Sequence, residues 1–164
     1  MHTKDDTRPA MEGIFQCFKK TTKKDWYLVL EEHNLVVNKA SVILRDLMFG
    51  DTGKLINRMF YGDMGLTEED DTKNVAQPQP TDTAMINKIY EKAVSKRKVT
   101  YQESPAIEYT TILNEDECNG TGSQLITEYG LFNELDELFA KKNRAAIYKD
   151  GETSLKFVWT IVFN

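Results

Sequence analysis

The stretch Ser154-Leu-Lys-Phe-Val-Trp-Thr-Ile-Val-Phe-Asn164 decides the fold. Leu155, Phe157, Trp159, Ile161 and Phe163 fall on every second position. A β-strand sends alternate side chains to opposite faces, so these residues share one face. Burying each of them stabilises the fold by roughly 1.5–3 kcal/mol before entropy is subtracted. Lys156, Val158, Thr160 and Val162 take the other face, which is too apolar for open surface. That face is expected to be covered as well, by the helix predicted over 39–49 or by another chain. Val158→Asp is then expected to impair folding or assembly.

Working outward, Asp150-Gly151 sits between Ile147-Tyr148 and this strand, a strong hairpin signal. Further strands are predicted at 98–102, 106–113, 124–132, 137–141 and 145–149, with turn residues between them. Towards the N-terminus, residues 13–18 and 26–30 read as a hairpin around a lysine-rich turn. Residues 54–61 read as another strand before the turn Gly62-Asp-Met-Gly65. The best helix is 39–49, with Asn38 as N-cap and Gly50 as stop. Ile43, Leu44, Leu47 and Met48 lie at helical spacing and are expected to pack on a sheet. A short helix over about 82–92 would carry Met85, Ile86, Ile89 and Tyr90. The expected architecture is mainly β: an antiparallel sandwich with one main helix.

At 164 residues the chain is expected to form a single domain, 13–164, preceded by a flexible arm, 1–12. A long acidic and proline-containing loop is expected at 66–81, where Glu68-Glu-Asp-Asp71 and Gln77-Pro-Gln-Pro80 disfavour regular structure. The net charge of −5 is a poor basis for binding nucleic acid, and no direct contact with it is expected. No apolar run approaches the ~20 residues that span a bilayer. Residues 1–10 lack the apolar core of a secretory leader, so neither leader nor membrane association is expected. Cys17 and Cys118 show no CxxC spacing and read as buried free thiols, with a disulfide between them left open.

Chemistry-bearing patterns are sparse. His2 and His33 have no second His or Cys at ligand spacing, and the acidic run 114–117 lacks the alternation of a calcium loop. A Ser-His-Asp triad would have to use one of those two histidines. No phosphate-binding glycine loop is present, and no two carboxylates stand out as a hydrolytic pair. The lysine clusters at 19–24 and 96–98 read as exposed turns. No catalytic residues, metal or cofactor are expected, and the chain does not read as an enzyme.

Several segments carry a resemblance in a fixed order. They are Asn34-Leu-Val-Val-Asn38 running into the helix, Ile56-Asn-Arg-Met-Phe-Tyr-Gly-Asp-Met-Gly65, and Asp82-Thr83. Next come Ile126-Thr-Glu-Tyr-Gly-Leu-Phe132, Leu138-Phe-Ala-Lys-Lys142, Lys149, and the terminal Leu155 to Phe163. Together, over about 26–164, they resemble a family of small tailed-bacteriophage virion proteins found among neck, tail, baseplate and fibre components. The resemblance implies a structural subunit located in the virion, forming a homo-oligomer on a symmetry axis and touching other neck or tail proteins. Candidate assembly contacts are Arg8 in the arm, Glu68 and Asp70 in the acidic loop, and Val158 and Val162 on the last strand. The alternative is a baseplate or tail-fibre module that binds a receptor or carbohydrate, with Tyr61, Tyr90, Tyr101 or Tyr148 as a stacking patch.

Overall fold

A computed structural model describes residues 10–67 and 74–164. The protein is mainly β, with strands β1 (Met11–Thr21), β2 (Lys24–Val36), β3 (Ile56–Gly62), β4 (Lys88–Ala93), β5 (Ser95–Tyr101), β6 (Ser104–Leu113), β7 (Ser123–Asn133), β8 (Leu138–Asp150) and β9 (Thr153–Phe163). Helix α1 (Lys39–Phe49) and a single 3₁₀ turn (Thr52–Lys54) lie between β2 and β3. All strand pairs are antiparallel, and they form one nine-stranded sheet in the order β4-β3-β7-β8-β2-β1-β9-β6-β5.

The sheet curls so that its two halves face one another, and these halves are the two layers expected of a sandwich. β2 joins them: most of it pairs with β1, while Leu35 and Val36 alone pair with β8. At the other side, the edge strands β4 and β5 are consecutive in the chain and separated only by Val94. The Val94 N–H donates to the Asn57 carbonyl at 2.9 Å, so both edges of the sheet meet at this residue. Across the interior, Phe15 packs on Tyr129 with ring centroids 4.8 Å apart, and Tyr61 on Phe157 at 5.2 Å. The Tyr61 hydroxyl hydrogen-bonds that of Thr111 within this core.

β9 lies between β1 and β6, in the middle of its half-sheet. Leu155, Phe157, Trp159 and Ile161 are buried on the inner face, and Phe163 is half-buried at its end. The outer face is also covered, with Val158 only 7% and Val162 only 1% exposed. The cover comes from the chain's own strands rather than from α1. Val162 packs with Ile14, Ala106, Val99 and Tyr101. Val158 lies low among the longer side chains of Gln16, Arg97, Glu108 and Lys156. The Lys156 ammonium in turn sits 4.6 Å from the Phe18 ring centroid. Val158 and Val162, expected as assembly contacts, are thus both covered by side chains of their own chain.

Three other expectations change. Met11 and Glu12, expected within an arm over 1–12, belong to β1 and pair with Phe163 and Val162. No helix forms over 82–92: residues 80–87 are irregular and Lys88–Ala93 is strand β4. There the N–H groups of Ile86 and Asn87 donate to a carboxylate on β7 rather than to a helical turn. The segments 137–141 and 145–149 are one strand, β8. The loop over 66–81 is pinned at its base, where Leu66 bridges Val75 and the Ala76 N–H reaches the Gly65 carbonyl at 2.9 Å. Arg8, Glu68 and Asp70 lie outside the described residues.

Candidate functional site

Helix α1 covers the end of the curled sheet where β9 finishes. At about 100° per residue, Ala40, Ile43, Leu44 and Leu47 share one stripe of the helix. Ala40 and Ile43 are buried, while Leu44 and Leu47 are half-buried against the core. Met48 falls past the edge of that stripe and is 91% exposed, correcting its expected packing role, and Phe49 is 87% exposed. Gly50 ends the helix in the left-handed conformation with φ 113°, and its N–H caps the Asp46 and Leu47 carbonyls. Asn38 makes no side-chain cap; its N–H instead donates to the Pro80 carbonyl at 2.8 Å.

Two of the hollows beside the helix share Leu44. A shallow one of about 550 Å³ is lined by Met11, Leu44, Met48 and Phe163 and opens beside Arg45. The other is a deeper cavity of about 350 Å³ between α1 and the inner face of β5, β6 and β9. Its walls include Leu44, Leu47, Ile56, Phe139, Ile161 and Phe163. Tyr109 also lines it, and burial pushes that phenol up to about 12.

The rim of the helix end is ionic. Glu137 accepts from Lys54 at 2.5 Å, from the Asn133 amide at 3.0 Å, and pairs with Lys39 at 3.0 Å. The Lys54 hydrogen bond, with help from Asn133 and Lys39, holds the Glu137 carboxyl down at about 2. Lys54 also reaches Asp46 of α1 at 3.4 Å, tying the helix to the turn after it.

Elsewhere, buried charged side chains hold loops. Glu128 on β7 is fully buried, and its carboxylate accepts from the N–H groups of Ile86 (2.8 Å), Asn87 (3.1 Å) and Met64 (3.2 Å). Its neighbour Thr127 accepts from the Gly65 N–H at 2.9 Å. A Cβ at Gly65 would run into the Thr127 carbonyl, and one at Gly62 into the Asn87 carbonyl, so this turn requires glycine at both positions. On β8, the fully buried Lys149 donates to Asn119 Oδ1 and the Asp150 carbonyl, each at 2.7 Å, and to the Glu115 carbonyl at 3.4 Å. Burial lowers the pKa of this ammonium. Lys141, also buried, reaches Asp82 and the Ala84 carbonyl, each at 3.3 Å.

These anchors explain what the motif Ile126-Thr-Glu-Tyr-Gly-Leu-Phe132 does locally: it clasps the glycine turn and the segment before β4 to the sheet. The signal for Glu128 was an acidic residue within a strand of buried apolar ones. Its partners are backbone groups far along the chain, so the sequence did not show them. The four tyrosines named as a stacking patch share no common surface, although Tyr61 and Tyr90 are in ring contact at 6.5 Å. Tyr61 is in the core, Tyr90 reaches Glu117, Tyr101 packs on the outer face, and Tyr148 is half-exposed on β8. Both cysteines are buried and free, and burial raises Cys17 to about 12 and Cys118 to about 11, far from a reactive thiolate. Among the described residues, no group of three or more His, Cys, Asp or Glu could hold a metal ion, and no helix is long and apolar enough to cross a membrane. Comparison of the chain with family models, curated proteins and solved structures gave no match.

Proposed function

We propose that this chain is a structural subunit of a tailed-bacteriophage virion, built into the neck or tail as a ring or collar. The observation that carries this reading is the apolar patch on the outside of α1. Met48 stands in solvent and lines the hollow with Met11, Leu44 and Phe163, and the next residue, Phe49, is exposed as well. Large exposed apolar side chains gathered next to a hollow mark a docking face. The occupant proposed for it is a second copy of this chain, since a subunit repeated about an axis meets its neighbour through fixed, complementary patches. The segments that resemble virion proteins support the reading in a second way. Thr127, Glu128, Gly62 and Gly65 fasten the glycine turn and the segment before β4 to the sheet, as a scaffold needs.

Mass spectrometry of purified particles tests the reading directly. The chain should be present at a fixed copy number. Phe49→Glu together with Met48→Glu should leave the fold intact and abolish incorporation. A chain found in infected-cell lysate but never in particles overturns the proposal.

A further inference from the structure

The deeper cavity combines an apolar interior with unpaired polar groups around it. β5 and β6 pair with Lys96 opposite Tyr109 and Lys98 opposite Ile107. Directly opposed residues of an antiparallel pair share a face. The register thus turns both lysines towards the cavity, although Lys96 also borders the outer-face hollow; Arg97 lines the cavity too, but its side chain is held by Glu108 at 2.8 Å. Neither lysine forms an ion pair among the described residues. Tyr109 is only 6% exposed and lines the cavity. Its hydroxyl has no hydrogen-bond partner among the described residues. The hydroxyl keeps access to solvent, so it is free to hydrogen-bond a ligand in the cavity. At about 350 Å³ the cavity falls in the range of small-molecule sites, which are mostly apolar with a few placed polar groups.

We propose that this cavity binds a fatty carboxylate, with the hydrocarbon chain among Leu44, Leu47, Ile107, Phe139, Ile161 and Phe163. The carboxylate accepts from the Tyr109 hydroxyl and from the ammonium groups of Lys96 and Lys98. Charge complementarity selects an anion: two free cations stand over an apolar pocket, and a carboxylate completes both them and the phenol. This inference is independent of the virion reading and involves different side chains from Met48 and Phe49.

The test is isothermal titration calorimetry of the full chain with decanoate, 1-decanol and decyltrimethylammonium, all below their micelle-forming concentrations. Decanoate should bind in a saturable one-to-one manner, and more tightly than the cation of equal chain length. Lys96→Met with Lys98→Met should weaken decanoate about tenfold or more, as expected for lost charge-assisted hydrogen bonds, and leave 1-decanol nearly unchanged. Both lysines are exposed, so the fold does not depend on them. Leu47→Trp, which fills the cavity, should abolish binding of decanoate and decanol while the strand signal in circular dichroism persists. Absence of saturable decanoate binding overturns the proposal, as does equal affinity for the cation. If the double lysine variant aggregates more readily but binds decanoate unchanged, the lysines only guard the free edge of β5, and the proposal also fails.

Discussion

The regions held by Glu128 and Lys149 and the end covered by α1 are built on opposite principles. Around Glu128 and Lys149, loops are fastened to the sheet by fully buried charged groups whose hydrogen bonds go mostly to backbone atoms. At the helix end the contact is apolar and incomplete: a half-buried leucine stripe, a cavity, and two large side chains in solvent. A buried ion tolerates one geometry, because any shift leaves a charge or an amide unsatisfied. Apolar contact tolerates several. The difference separates the part of the molecule that must stay fixed from the part left with surface to offer.

The largest break in this contrast should come at Glu128. Glu128→Ala removes the charged acceptor of three part-buried N–H groups and should lower the unfolding free energy by about 3–5 kcal/mol in urea titration. Lys149→Met removes the donor that gathers Glu115, Asn119 and Asp150, and should cost about 2–3 kcal/mol. Hydrogen exchange in the loop between β6 and β7 should accelerate in that variant more than elsewhere. A uniform change across the molecule would show that Lys149 supports the whole sheet rather than one loop.

A smaller effect belongs to the ionic rim of the helix end. Glu137 titrates at about 2 in the folded protein, below the ordinary glutamate value of about 4.3. Because folding depresses this value, its contribution is complete above the unfolded value and is lost as pH falls through the folded one. Glu137→Gln should therefore be less stable than the parent at neutral pH. The gap should close between about pH 5 and pH 2. A gap that stays constant across that window would remove the ion pairs as its cause. The smallest effect is expected at Phe49. Phe49→Ser should change folding stability by less than about 0.5 kcal/mol, because an 87% exposed ring has little to lose. A large loss there would mean that the helix end is part of the fixed frame after all.

What the sequence made legible follows from how local each feature is. β9 could be read because its period of two is carried by its own residues, and α1 because Gly50 stops it within the same segment. The segment 82–92 misled because Met85, Ile86, Ile89 and Tyr90 also fit a helical spacing. Its strand state is set by pairing with β3, which no local pattern encodes. β8 is continuous where separate strands are expected over 137–141 and 145–149. Asn143 is buried, and its amide donates to the Ala76 carbonyl at 2.8 Å, a partner from the distant loop. The cavity was hidden for the same reason: Lys96 and Lys98 look like an exposed basic turn until the register sets them beside Tyr109 and Ile107.

The position of β9 between β1 and β6 has a consequence for how the chain reaches this structure. β9 follows every other strand in sequence, yet it occupies the centre of its half-sheet. Until it docks, β1 and β6 each present an unpaired edge, and Met11 must find a partner as remote as Phe163. Pairings between such distant segments slow folding, typically into the millisecond-to-second range. During synthesis this half-sheet cannot close until β9 has left the ribosome. The nascent protein therefore passes through a stage with two sticky edges, and the arrival of β9 ends its exposure to aggregation.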